Sequence, residues 1–108
     1  MPHKIKPLAV LPRRLKEARD RAELSQKQLG IAAGLDPFVA STRINRYERG
    51  VHQPDPVMVQ RMADALGVPP AYLFASDERL ARLILAFDAL PAKTQERVIA
   101  DIESMLDG

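Results

Sequence analysis

The stretch Leu24-Ser25-Gln26-Lys27-Gln28-Leu29, followed by Ser41-Thr42-Arg43-Ile44-Asn45-Arg46-Tyr47-Glu48-Arg49-Gly50, contains the signals that decide the fold. Ser25 and Gln28 form a capping box, in which each side chain satisfies a backbone N–H of the other residue, so a helix begins at Gln26. Asp36-Pro37 pairs an N-cap with a first-turn proline, and no breaker follows until Gly50. Two helices joined by a turn after Gly34 are therefore predicted, the second over residues 37–49.

An amphipathic helix precedes this pair. Pro12 suits a first helical turn, and Leu15, Ala18 and Ala22 fall on one stripe, with the charged Arg14 placed elsewhere. Residues 1–11 contain prolines and basic side chains and have no helical period, so they are predicted to form a flexible basic N-terminal arm.

Helical signals also continue after the pair. Asp55-Pro56 begins a fourth helix that ends at Gly67, and a brief fifth helix covers residues 70–74. Ser76 or Asp77 caps a sixth helix, and Pro91 ends it and starts a seventh. The sequence contains no credible strand or repeat, so an all-α fold is predicted.

The helix over residues 37–49 has two chemically different faces. At about 100° per residue, Ala40, Ile44 and Tyr47 group on one side, which we expect to lie in the core. The opposite side carries Thr42, Asn45, Arg46 and Arg49. An arginine suits guanine, an asparagine suits adenine and a threonine suits a thymine methyl or a phosphate, although an ordinary solvated face has the same residue types.

The net charge of +2 conceals an asymmetry between the two halves of the chain. Residues 1–53 contain 11 Lys and Arg against 5 Asp and Glu, whereas residues 54–108 contain 5 against 9. A basic half of this kind is consistent with a polyanionic partner, although charge runs are usually only solvated faces.

Composition excludes several classes of function. The chain has no cysteine and only two histidines, His3 and His52, so zinc-thiolate sites, disulfides and thiol catalysis are excluded and a metal cluster is not expected. No glycine-rich phosphate loop or nucleophile set is present, so we expect no enzymatic activity and no cofactor. No segment resembles a membrane helix or a signal peptide, which predicts a cytoplasmic protein without a membrane partner.

At these positions the chain resembles the lambda-repressor-like, Cro/C1-type helix-turn-helix regulators, often called the XRE family. The resemblance covers about residues 12–74 and is carried by Arg19, Leu24-Ser25-Gln26, Leu29, Gly34, Ile44, Tyr47-Glu48-Arg49-Gly50, Pro54 and Ala65-Leu66-Gly67-Val68. It implies a five-helix DNA-binding domain over residues 12–75. Its third helix would enter the major groove of double-stranded DNA, usually as a dimer on a two-fold operator.

The family's motif also implies roles for individual residues. Matching it position by position places base contacts at Ser41, Thr42, Asn45 and Arg46. Phosphate contacts are expected at Gln26, Lys27, Arg43, Arg49 and His52. Arg19 and Glu48 are expected to form the buried ion pair that ties the first helix to the end of the third.

The chain departs from the family between Gly34 and Tyr47, where it is longer by about four residues, close to one helical turn. The extra residues either begin the third helix one turn early, placing Phe38 and Val39 near the DNA, or form a bulged turn. Gly30 and Ile31 also replace residues that are usual in the family. We expect Ile31 to pack on Phe38 in compensation.

Residues 76–108 form a predicted C-terminal helical hairpin. Its first helix has apolar residues on too wide a band for one contact face, so we expect the hairpin to join two copies in a homodimer. The alternative is that it folds back on the first and fifth helices.

The leading prediction of function is a sequence-specific DNA-binding regulator, acting as a repressor. The alternative is an antitoxin-like or adaptor module that binds a protein partner and binds DNA only secondarily.

Overall fold

The computed structural model describes the backbone of residues 7–108 and the side chains of residues 10–108. Its elements in chain order are α1 (Pro7–Arg21), α2 (Gln26–Ala32), α3 (Pro37–Glu48), α4 (Pro56–Leu66), a 3₁₀ helix (Pro70–Phe74), α5 (Glu78–Asp88) and α6 (Ala92–Asp107). These residues contain no strand, so the predicted all-α class is confirmed. Within the same range, no helix has both the length and the apolar character needed to cross a bilayer.

Helix α1 begins at Pro7 rather than at Pro12. The prediction of an arm reaching residue 11 is therefore wrong for residues 7–11, and residues 1–6 lie outside the described range. The cause is Leu11, which is buried with Leu15 and Ala18 at helical spacing and so extends the apolar stripe past Pro12. A proline this near the helix start removes one backbone hydrogen bond, and the burial of Leu11 offsets that loss.

Helices α2 and α3 begin where their caps predict. The Ser25 hydroxyl accepts from the Gln28 N–H at 3.0 Å, and the Gln28 side chain accepts from the Ser25 N–H at 2.8 Å. The Asp36 carboxylate accepts from the Phe38 N–H at 2.8 Å, and α3 then continues as regular α-helix to Glu48. The extra residues thus lengthen α3 at its N-terminal end, and the alternative of a bulged turn is wrong.

The core lies where α1, α2, α3, α4 and the 3₁₀ helix meet. Its fully buried large side chains include Leu15, Leu29, Ile44, Met62, Tyr72 and Leu73. Burying one such side chain stabilises the fold by about 1.5–3 kcal/mol, so six of them hold the short helices together although α2 has only 7 residues. This core leaves one side of the α2–α3 pair facing solvent.

The C-terminal hairpin is only partly joined to this core. Asp77, not Ser76, caps α5, and Ala81, Ile84 and Leu85 pack against the core from α5. Helix α6 has no buried residue, so the fold-back alternative holds for part of α5 and fails for α6. The radius of gyration is 15.9 Å, above the roughly 13 Å of a compact domain of this length.

Candidate nucleic-acid interface

Helix α3 presents a polar face to solvent. Ala40, Ile44 and Tyr47 are buried, which confirms the predicted core face. On the other side of the helix, Ser41, Thr42, Arg46 and Arg49 are exposed and Asn45 is half-buried. From Thr42 to Arg49 this row extends about 10 Å along the helix axis, and a helix about 10–12 Å in diameter fits a major groove about 12 Å wide.

The basic side chains of the α2–α3 face lack a carboxylate partner in the part of the chain that the structure describes. Lys27, Arg46 and Arg49 are exposed and Arg43 is half-buried. None of the four forms an ion pair with a carboxylate among residues 10–108. On α1, by contrast, carboxylates pair with Arg13, Arg14, Lys16 and Arg19. The α2–α3 face therefore presents four basic side chains that no carboxylate of the described residues neutralises.

Arg19 and Glu48 connect α1 to the end of α3. The guanidinium donates from Nε to Glu48 Oε2 at 2.5 Å and from Nη2 to Oε1 at 3.1 Å, and its Nη1 donates to the Leu24 carbonyl at 2.9 Å. The two side chains are 12% and 4% exposed. The hydrogen bonds to Glu48 raise the pKa of Arg19 above its usual value despite its burial. This bidentate pair orients α3 relative to α1.

Two of the predicted phosphate-contacting residues have partners within the protein. The Gln26 amide donates to Glu48 Oε1 at 3.1 Å, which leaves its second N–H available to another acceptor. The His52 ring lies edge-on to Tyr47, with ring centroids 6.3 Å apart and planes at 77°. Gln26 thus adjoins the Arg19–Glu48 pair, and His52 lies beside the end of α3.

The expected contact between Ile31 and Phe38 is absent. Phe38 is 97% exposed, so its ring does not pack on Ile31, which is also exposed. The reason is that the extra turn carries Phe38 onto the outer side of α3. That side is opposite Ala40, the residue through which α3 contacts α2 at Gly30.

Arg14 is a buried residue of α1 that the sequence analysis placed off the apolar stripe. It is 1% exposed. Its Nε donates to the Ala75 carbonyl at 2.8 Å, and its Nη1 donates to Glu17 at 3.0 Å and to Glu78 at 3.1 Å. Burial opposes its charge, but these two carboxylates raise its pKa above the usual value. Arg14 therefore joins α1 to the start of α5.

The signal that identifies Arg14 is its spacing. Leu11, Arg14 and Ala18 lie at i, i+3 and i+7, so they share a face once the helix is known to include Leu11. A helix that starts at Pro12 does not include Leu11, so the prediction did not place Leu11 and Arg14 on one face. The partners at residues 75 and 78 are distant in sequence, so no local pattern predicts them.

No metal or catalytic set is evident in the described part of the chain. Among residues 10–108, no three histidine, aspartate or glutamate side chains converge as metal ligands. An apolar groove of about 350 Å³ is lined by Leu11, Gln53, Pro54, Pro56, Val59, Gln60, Pro70 and Phe74. That lining contains no acid, base or nucleophile, so the α2–α3 face is the strongest candidate site.

Comparison with known proteins agrees with this geometry. Residues 11–73 match a family model described as a helix-turn-helix domain. The chain is also similar to a solved structure described as the crystal structure of transcriptional regulator BswR, with 43% sequence identity and a TM-score of 0.84. That similarity covers 89% of this chain and 95% of the other. No curated protein sequence matches the chain.

Proposed function

Since this chain belongs to the helix-turn-helix family, we propose that it is a sequence-specific DNA-binding regulator of transcription, of the Cro/C1 type, acting as a repressor. Helix α3 enters the major groove in this proposal. The similarity to a transcriptional regulator supports it because it extends over most of both chains, including the C-terminal hairpin.

The observation that carries the proposal is the group of unpaired cations on the α2–α3 face. Lys27, Arg43, Arg46 and Arg49 lie on the same pair of helices as an exposed polar row. Basic groups without internal partners release counterions when they meet phosphates, so they supply salt-dependent affinity for DNA. The polar row between them supplies selectivity, because base edges are read by hydrogen bonds and apolar contacts.

Four residues of α3 are assigned to bases in this proposal. Arg46 donates two hydrogen bonds to O6 and N7 of a guanine, and Asn45 pairs with an adenine. Ser41 and Thr42 contact base edges from the N-terminal half of the helix, where recognition helices meet the bases. All four lie away from the buried side of α3.

Five residues are assigned to the DNA backbone. Arg43 lies on α3, Arg49 is the C-cap that follows it, and Lys27 lies on α2. Gln26 and His52 reach phosphates at the edges of the surface. Such contacts fix the register of α3 on the duplex without reading sequence.

The C-terminal hairpin completes the proposal as a homodimer interface. Leu80, Leu83, Ile99, Ile102, Met105 and Leu106 are all exposed, the last two to 76% and 82%. These residues give both hairpin helices an apolar surface that the described fold leaves uncovered. A second copy covers it across a two-fold axis and sets the spacing of two DNA half-sites.

Selection of bound duplexes from a random library tests the DNA-binding function. We expect enrichment of one two-fold sequence, and an affinity that falls linearly with the logarithm of salt concentration. Equal binding to all duplexes, without salt dependence, contradicts the proposal and favours the adaptor or antitoxin-like alternative.

Sedimentation at micromolar concentration tests the dimer. Leu106→Asp should convert the dimer to a monomer, since it puts a charge into the apolar surface. Val57→Asp is the matched control, because Val57 is also exposed but lies on α4. A wild-type chain that sediments as a monomer contradicts this part of the proposal.

A further inference from the structure

Phe38 is an aromatic residue whose side chain lies outside the core. It is the second residue of α3 and is 97% exposed. Its backbone N–H donates to the Asp36 carboxylate at the helix start, while its ring is left exposed by the side chains of residues 10–108. Packing within the protein therefore does not account for a phenylalanine at this position.

The position of Phe38 on α3 is informative. Thr42, Asn45 and Arg49 follow it at i+4, i+7 and i+11, within about 40° of one line along the helix. The buried Ala40, Ile44 and Tyr47 lie on the opposite side. Phe38 therefore extends the polar row by one turn, about 6 Å beyond Thr42 towards the helix start.

We propose that Phe38 is a specificity-determining residue whose ring contacts the C5-methyl group of a thymine in the major groove. This inference rests on the proposed function, since it assigns a base to the α3 face. The thymine methyl is an apolar group displayed in that groove, and phenylalanine is one of the side chains suited to it. The first residues of a recognition helix are also those that meet base edges.

The cap of α3 favours a base over a phosphate at this end of the helix. Asp36 occupies the helix start with a carboxylate, which repels a DNA phosphate at close range. The neighbouring row carries unpaired arginines, which favours a polyanion over an apolar protein partner on this face. Both features leave the apolar edge of a base as the group that fits Phe38.

Deoxyuridine provides the test, because it removes the C5-methyl group and keeps the hydrogen-bonding groups of thymine. The probe is the duplex enriched by the wild-type chain, with each thymine replaced in turn, in both half-sites, and dissociation constants measured at one salt concentration. At one position per half-site, we expect the wild-type chain to bind the uracil duplex about four-fold more weakly per contact, the effect of exposing one methyl-sized group.

Two phenylalanine variants complete the experiment. Phe38→Ala should bind the thymine duplex more weakly than the wild type and should not distinguish thymine from uracil. Phe74→Ala truncates another exposed phenylalanine, on the 3₁₀ helix, and should keep the wild-type preference. Unchanged thermal unfolding of Phe38→Ala, expected because the ring is exposed, rules out a folding defect.

The outcomes separate this inference from the proposed function. If the wild-type chain enriches no duplex, the proposed function fails and the inference fails with it. If it enriches a duplex, the inference alone is overturned when no uracil substitution weakens binding, or when Phe38→Ala keeps the wild-type preference. Equal binding of Phe38→Ala and wild type to the thymine duplex overturns it too.

Discussion

Gly30 of α2 lies directly against Ala40 of α3. A Cβ atom on Gly30 would lie 2.6 Å from the Ala40 Cβ and 2.9 Å from both the Ala40 Cα and the Ala40 carbonyl oxygen. These distances are shorter than van der Waals contact, and two of the three atoms belong to the backbone. The absence of a side chain at residue 30 thus sets the distance between the two helices.

We expect Gly30→Ala to destabilise the fold by about 1–3 kcal/mol, because the added methyl forces α2 and α3 apart. In an open helix the same change stabilises by about 1 kcal/mol, so the sign of the effect is diagnostic. Urea unfolding measures it. Ala32→Gly, at an exposed position of α2, is the control for helix propensity. Adding Ala40→Gly should restore only part of the loss, since the two backbone contacts remain.

The Arg19–Glu48 pair should contribute to the stability of the fold. Glu48→Ala leaves Arg19 charged and largely buried, so we expect a loss of about 3 kcal/mol in the free energy of unfolding. Glu48→Gln should cost less, because it retains hydrogen-bond acceptors. Lys16→Ala, which breaks an exposed pair with Asp20, should leave the unfolding midpoint nearly unchanged. Equal effects of Glu48→Ala and Lys16→Ala would contradict the orienting role of the pair.

Arg14 should matter more to stability than its neighbour Arg13. Arg14→Ala leaves a cavity and removes the donor to the Ala75 carbonyl, which predicts a loss of about 3 kcal/mol on urea unfolding. Arg14→Met should be milder, because it fills most of the space and removes Nη2, a buried nitrogen without a hydrogen-bond partner among the described residues. Arg13→Ala, at an exposed position near the same carboxylates, is the matched control.

Arg46 and Lys27 should differ in the kind of binding that they support. Arg46→Ala should cost about 1–3 kcal/mol on the selected duplex and relax the preference at one base position. Lys27→Ala should weaken binding to all duplexes alike and reduce the salt slope by about one. Titrations on selected and random duplexes measure both effects. If each variant weakens both duplexes equally, the assignment of Arg46 to a base is wrong.

Asp77 should make the start of α5 sensitive to acid. Its carboxylate accepts hydrogen bonds from the backbone N–H groups of Leu80 and Arg79, which hold its pKa below the ordinary value of 3.8. A lowered pKa means that this cap stabilises the folded state above pH 3.8 and that the contribution is lost as the pH falls further.

Urea unfolding of wild type and Asp77→Asn across that pH range tests the expectation. The asparagine caps the helix without titrating, so the difference in stability between the two chains should change below pH 3.8 and stay constant above it. A difference that is independent of pH would contradict the role of the charge.

Helix caps and helical periodicity, which act between residues close in sequence, predict much of the fold. Ser25 with Gln28, and Asp36 with Pro37, place the starts of α2 and α3 correctly, because a cap is a hydrogen bond between residues no more than three apart. The two faces of α3 follow from helical periodicity in the same way. If α3 starts at Pro37, the four extra residues form its first turn, and the helical period then gives the face on which each of them lies.

Contacts between distant segments account for the features that these signals missed. The burial of Arg14 depends on two acceptors, Ala75 and Glu78, that are more than 60 positions away in the sequence. No local pattern predicts it. Gly30 is needed because of the way α2 crosses α3, a geometry that depends on packing across the whole core. Caps and periodicity act within one helical turn, and therefore specify the helices of this chain and the polar face of α3. The burial of an arginine and the spacing of two helices depend on partners that only folding brings together.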